Sequence, residues 1–409
     1  MDRPLRRTLG TPDAVVLGLG SMVGAGIFVA PAPAAAAAGS GLLLALVLAG
    51  AVAYANALSS ARLAAVYPTS GGAYVYGRER LGEFWGYLAG WAFVVGKTAS
   101  CAAMALAVGT YAWPEYATET GVAVVVALTA VNYVGVSRSA ALTRVLVTVV
   151  VGALLVVVAV ALGADAAQSD RLRPGGDTDL RGIAEAAGLL FFAFAGYARI
   201  ATLGEEVRDP ARTIRRAIPL ALGLALALYA AVLAAALAVL GPDGLAATEA
   251  PLTDTVRAAG ADGIVLVVRA AAVLGAAGAL LALILGVSRT TLAMARDRHL
   301  PHVLSAVHPR FGVPHRAELA VGAVVVVLTL IGEIRDVVAF SSFGVLVYYA
   351  IANAAAWTLA PGRARIVPAL GFVGCLALAL TLPLEAARAG GAALAIGYAL
   401  FILRGVLAR

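Results

Sequence analysis

The sequence predicts an all-α, polytopic membrane protein with twelve transmembrane helices, and three observations carry that prediction. Hydrophobic residues make up 62% of the 409 positions and the mean hydropathy is +0.93, which leaves too little polar surface for a water-soluble domain. Apolar runs of about eighteen residues or more recur along the whole length, each long enough for a hydrocarbon core of roughly 30 Å. Runs such as 122–131 and 145–162 are continuously apolar rather than alternating, which excludes a lipid-facing barrel and leaves helices as the spanning element.

Taken in order, the spans fall near 13–38, 41–64, 84–110, 121–135, 141–163, 183–206, 216–240, 262–287, 316–332, 336–359, 365–383 and 390–407. Arg3, Arg6 and Arg7 precede the first, but no cleavage pattern follows them, so that segment reads as a span and not as a removable signal. Cys101 and Cys375 both lie inside apolar spans, which gives no disulfide framework. With the N-terminus inside, 21 Lys and Arg residues fall in inside segments, against six outside: Arg171, Arg173, Arg181, Arg257, Arg335 and Arg388. This asymmetry predicts that both termini are cytoplasmic in an inner-membrane protein. The formal charge of +7 is therefore topological and does not mark a nucleic-acid surface.

Two spans carry a break near their midpoint. In the first, Gly18, Gly20, Gly24 and Gly26 surround Ser21; in the sixth, Ala193-Phe194-Ala195-Gly196-Tyr197 sets small residues between aromatics. Irregular backbone at membrane depth must face protein or a water-filled cavity. The two breaks lie five spans apart, so their helices run in opposite directions. That spacing predicts two inverted five-helix repeats, about 13–163 and 183–359, with extra helices at 365–407, all in a single transport domain spanning 1–409. Close helix packing through small residues is the plainer reading of the same glycines.

The residues then resemble a known family. Gly18-Leu19-Gly20-Ser21-Met22-Val23-Gly24-Ala25-Gly26-Ile27-Phe28, Tyr67-Pro68-Thr69-Ser70-Gly71-Gly72-Ala73-Tyr74, Phe191 to Tyr197 with Glu205-Glu206-Val207-Arg208-Asp209-Pro210, and Ser288-Arg289 with Met294 to Asp297 and Leu300-Pro301 are similar to the amino acid, polyamine and organocation (APC) superfamily of permeases, over nearly the whole chain. The resemblance implies its five-plus-five, LeuT-like fold. It also implies uptake or exchange of amino acids or related amines by alternating access, often with protons as the coupling ion, and no cofactor. On this reading the N–H groups of Val23, Gly24, Ala25, Gly26 and Ile27 receive a substrate carboxylate at a helix end, and the Ser21 hydroxyl adds a donor. Carbonyls from Ala193 to Gly196 accept from the substrate ammonium. Phe194 and Tyr197 either close over the ligand or serve as core aromatics.

Lys97 is the single lysine among thirty basic residues and lies at the centre of the third span. A buried lysine can gain and lose a proton near neutrality where arginine cannot, and a charge at the bilayer centre is costly enough to imply a role. Some members of the superfamily use an intramembrane lysine in the fifth span, where this chain has Val150. Lys97 therefore reads as the proton-coupling group, or as a tie between helices through backbone carbonyls. No Asp or Glu falls in the central part of any span. That favours a substrate with a carboxylate and a small or neutral side chain over a polyamine, whose ammonium groups would need buried carboxylates. Ala198 stands where relatives often have an acidic residue, followed by Arg199.

Glu205 and Glu206, near Arg208, Arg212, Arg215, Arg216, Arg6 and Arg7, form either an inner gate or a set of solvated charges. His299, His302, His308 and His315 share one cytoplasmic loop, but no Cys or acidic cluster completes a metal site with them. A secondary active amino acid transporter, most simply a proton symporter, is the leading expectation. An exchanger, an amine or polyamine carrier, and a membrane sensor on the same scaffold are the alternatives. An enzyme is not expected, since no nucleophile, metal or acid–base pair converges inside the spans.

Overall fold

A computed structural model describes residues 10–67, 71–135, 140–176, 178–197, 200 and 207–407. Among them every regular element is helical. The first span is divided twice: α1 (Thr11–Met22) stops at Val23, α2 (Gly26–Val29) follows, and α3 (Pro31–Ala38) resumes after Ala30. Pro31 sits at the start of α3, where its missing N–H leaves no helical bond unmade. Next come α4 (Leu42–Val66), the short α5 (Ala73–Leu81), α6 (Glu83–Ala112), α7 (Ala117–Tyr133) and α8 (Ala140–Gly163). The second half begins with α9 (Leu180–Phe194), which tightens into a 3₁₀ turn at Ala195–Tyr197.

After it come α10 (Pro210–Ala246), the short α11 (Pro251–Ala258), α12 (Val265–Arg296), α13 (His315–Ile331), α14 (Ile334–Leu359), α15 (Ile366–Thr381) and α16 (Leu384–Leu407). Among the described residues ten helical stretches are long and apolar enough to cross a membrane. Helices α7 and α13, with 17 residues each, fall just short of that length. The chain is a multi-pass membrane protein.

Several boundaries differ from the hydropathy reading. Helix α10 runs on to Ala246 through a kink at Gly241, where φ is +71° and Pro242 follows. Helix α12 extends to Arg296, about two turns beyond the apolar run, because a helix does not stop where it leaves the hydrocarbon. The connecting helices α5 and α11 were not legible as spans, being short and partly polar.

Helices α6 and α14 are the most buried, whereas α8, α15 and α16 turn much of their surface outward. The outward faces carry Leu142, Val145, Val149, Leu155 and Val156 on α8 and Leu370, Val373 and Leu380 on α15. So much exposed aliphatic surface fits a lipid solvent. The central pair touches through small residues: a Cβ on Gly96 would stand 3.1 Å from the Gly344 Cα, and the Ser100 and Ser341 hydroxyls share a 2.6 Å hydrogen bond one turn away. Arg269 stands in the first turns of α12. Its guanidinium donates to the carbonyls of Tyr111 and Ala112, capping the C-terminus of α6 at 2.7 and 2.8 Å.

Candidate substrate site

The two breaks lie against one another. A Cβ on Gly26 would come within 2.5 Å of the Ala193 Cα, and one on Gly196 within 2.0 Å of the Ser21 carbonyl oxygen. Glycine is required at both positions because backbone approaches backbone there. Met22, Val23, Ala25, Ile27, Ala193, Phe194, Ala195 and Tyr197 are each at most 3% exposed, so both breaks are buried.

Close packing and unpaired backbone coexist at this point. The N–H of Val23 donates to Leu19 at 2.7 Å and that of Gly24 to Met22 at 2.7 Å, so these two groups, expected to be free, are already used. The N–H groups of Ala25, Gly26 and Ile27 have no acceptor among the described residues, as the first turn of a helix requires. The Ser21 hydroxyl, expected to face a substrate, donates to the Leu17 carbonyl at 2.9 Å. A serine inside a helix finds that acceptor one turn back more readily than a distant partner.

On the sixth span the carbonyls are occupied by side chains. The Tyr229 hydroxyl from α10 lies 2.7 Å from the Met22 oxygen and 3.1 Å from the Ala193 oxygen, bridging the two breaks. The Ala195 oxygen accepts from Lys97 Nζ and from the Tyr349 hydroxyl, both at 3.4 Å. Tyr197 stacks on Tyr349 with ring centroids 5.1 Å apart, Phe191 meets Tyr349 edge-on at 5.8 Å, and Phe194 lies 5.2 Å from Tyr229. Tyr111 donates to the Phe28 carbonyl at 2.9 Å.

Lys97 is thus 7% exposed and tied to a backbone carbonyl of the sixth-span break. Val150 is elsewhere, beside the first break: a Cβ on Gly275 would stand 3.5 Å from both the Val150 side chain and the Val23 oxygen. The lysine of this chain therefore addresses the opposite broken helix from the Val150 position. The residues named as a gate, Glu205, Glu206 and Arg7, lie outside the described residues, as do Ala198 and Arg199.

The tyrosines that fill the site, Tyr229, Tyr349 and Tyr111, escaped the sequence reading. One signal was available: a phenolic hydroxyl inside an apolar span needs an acceptor. Glu318 was also missed, standing in the first turn of α13; it is fully buried, with neither carboxylate oxygen hydrogen-bonded among the described residues.

A polar chain lies at one end of the helix bundle. Arg78 pairs with Asp297 at 2.9 Å, and the Tyr74 hydroxyl stands 2.5 Å from Asp297 and 2.8 Å from His299 Nδ1. His299 Nε2 is 3.1 Å from Glu83, which also receives Arg404 at 2.8 Å. This chain links α5, the start of α6, the loop after α12 and the final helix α16. Burial holds His299 below the ordinary histidine pKa, against the opposing pull of Glu83.

Helical throughout its described residues, multi-pass and carrying two facing helix breaks, the chain has the architecture of a membrane transporter. The chain matches the amino acid permease family model over residues 9–403, and it belongs to that family. It is 64% identical over 408 residues to an uncharacterized transporter of Mycobacterium tuberculosis, covering 99% of this chain and 93% of the relative. It is 26% identical to a branched-chain amino acid permease of Bacillus subtilis, covering 93% of this chain and 89% of that one. A serine/threonine exchanger of the same bacterium is 27% identical, covering 92% and 90%. The protein is a transporter and not an enzyme.

Proposed function

We propose that this permease is a secondary active transporter of amino acids in the cytoplasmic membrane, working by alternating access and driven by proton symport. On this reading it has twelve spans, two inverted five-helix repeats ahead of two further helices, and both termini in the cytoplasm, the side favoured by the Lys and Arg asymmetry. The observation that carries the reading is the apposition of the two breaks, with the N–H groups of Ala25, Gly26 and Ile27 lacking any acceptor among the described residues. A substrate carboxylate meets those donors, and its ammonium meets backbone carbonyls at the two breaks, that of Ala193 among them. The aromatic lining of Phe194, Tyr197 and Tyr349 suits a neutral side chain. Lys97, held on the Ala195 carbonyl, is the group that takes and releases the proton.

Uptake into proteoliposomes tests this, with a panel of labelled amino acids and with or without an imposed pH gradient. Accumulation of a neutral amino acid above equilibrium, only when the gradient is present, is the expected result. Failure to move or bind any amino acid refutes the reading. Obligatory exchange, the activity named for the 27% identical serine/threonine exchanger, is the second reading. It predicts uptake only into vesicles preloaded with amino acid.

A further inference from the structure

We propose that in the empty carrier the Tyr229 hydroxyl occupies the two backbone carbonyls, Met22 and Ala193, that the substrate's ammonium takes over on binding. The proposal rests on the amino acid reading of the site given above. Met22 ends α1 and Ala193 lies in the last turn of α9, so both carbonyls are among those a helix end leaves without an intrahelical partner. Both are buried, and a buried carbonyl needs a donor. Tyr229 supplies it from a third element, with its ring held against Phe194.

The supply is incomplete. A phenol has one proton, and it is shared between acceptors at 2.7 and 3.1 Å; the Met22 oxygen also accepts from the Gly24 N–H at 2.7 Å, so the Ala193 oxygen is left with the weaker supply. An ammonium carries three N–H donors and a positive charge, and its hydrogen bonds are stronger. It therefore displaces the phenol and satisfies both carbonyls at once.

The two halves of the site then differ in kind. The substrate carboxylate arrives at N–H groups that have no acceptor among the described residues, whereas the ammonium must displace a resident donor. Because Met22 and Ala193 lie on opposite broken helices, the phenol also holds the breaks in register while no substrate is present. Tyr229 is on this account a positioning residue, acting through the backbone that the substrate will use.

The experiment compares wild-type protein with Tyr229→Phe, which keeps the ring and removes the competing donor. Two ligands are titrated by calorimetry: the best-bound member of an amino acid panel, and the same acid without its amino group. Relative to wild type, the variant should bind the amino acid about 2- to 10-fold more tightly, the range set by losing one competing hydrogen bond. Its affinity for the des-amino acid should not change, because that ligand leaves the phenol in place. Equal or weaker amino acid binding by the variant overturns the proposal, and so does an equal gain for both ligands.

If no amino acid binds wild-type protein, the functional reading itself fails and this proposal falls with it, an outcome distinct from the previous two. If Tyr229→Phe does not fold, wild-type protein carrying 3-fluorotyrosine at position 229 gives the answer by fluorine NMR. Its resonance should move on addition of the amino acid and stay in place with the des-amino acid. A resonance unmoved by both, or moved alike by both, overturns the proposal.

Discussion

Replacing Gly26 by alanine tests the apposition of the two breaks most directly. The added methyl would stand 2.5 Å from the Ala193 Cα, 2.7 Å from its Cβ and 3.2 Å from its nitrogen. Carbon atoms rest at about 3.5–4.0 Å, so the two helices must separate by about 1 Å. The obstacle includes backbone atoms, and no rotamer change relieves it. Overpacking of this kind costs about 1–3 kcal/mol. If that cost falls on the closed, bound geometry, substrate affinity drops by roughly 5- to 150-fold.

Gly152→Ala, in α8, is the matched control, since nothing lies within 4 Å of its added methyl. That change should leave transport unaltered and raise stability slightly, by about 0.5–1 kcal/mol of helix propensity. Thermal unfolding in detergent and substrate titration on both variants supply the readout. Wild-type stability and affinity in Gly26→Ala would show that the breaks are not in contact in the working protein, and the site would have to be rebuilt elsewhere.

Three further outcomes follow from the same geometry. Lys97→Ala should abolish accumulation driven by a pH gradient while leaving counterflow exchange measurable in proteoliposomes; full gradient-driven accumulation in that variant removes Lys97 from the coupling role. Ser21→Ala should change substrate affinity less than about twofold, because the hydroxyl is engaged with Leu17 and exchanging a back-bonded serine for alanine inside a helix costs little; a tenfold loss, read by the same titration, would place the hydroxyl on the substrate. The third concerns His299, whose pKa is depressed in the folded protein. The unfolded chain therefore binds the proton first as pH falls, and stability that is fully present above about pH 6.5 is lost on acidification towards the lower folded value. The melting temperature in detergent should drop between pH 7.5 and 5.5, and His299→Gln should flatten that drop; an unchanged slope assigns the acid sensitivity to other groups.

Helical class and a candidate break in each of two spans were legible because hydropathy and glycine content are properties of the local chain. Which backbone groups are free at those breaks was not legible. Val23 and Gly24 find acceptors within their own turn, and Ser21 bonds back to Leu17. The list of available donors therefore shrinks to Ala25, Gly26 and Ile27, among the described residues. Glu318 shows the same limit, since its position near a span end gave no hint that its carboxylate is wholly enclosed.

By itself the sequence determined that the chain is a set of apolar membrane helices and that its single lysine, Lys97, lies in the third of them. Those conclusions depend on the solvent around each residue, and composition reports that solvent. Only the tertiary structure decided that the break in the first span meets the break in the sixth through Gly26 and Gly196. It alone brought Lys97 to the Ala195 carbonyl and set a tyrosine from α10 between Met22 and Ala193. Partners of that kind are fixed by helix packing between residues 36 to 207 positions apart in the chain, a separation at which local pattern carries no information about contact.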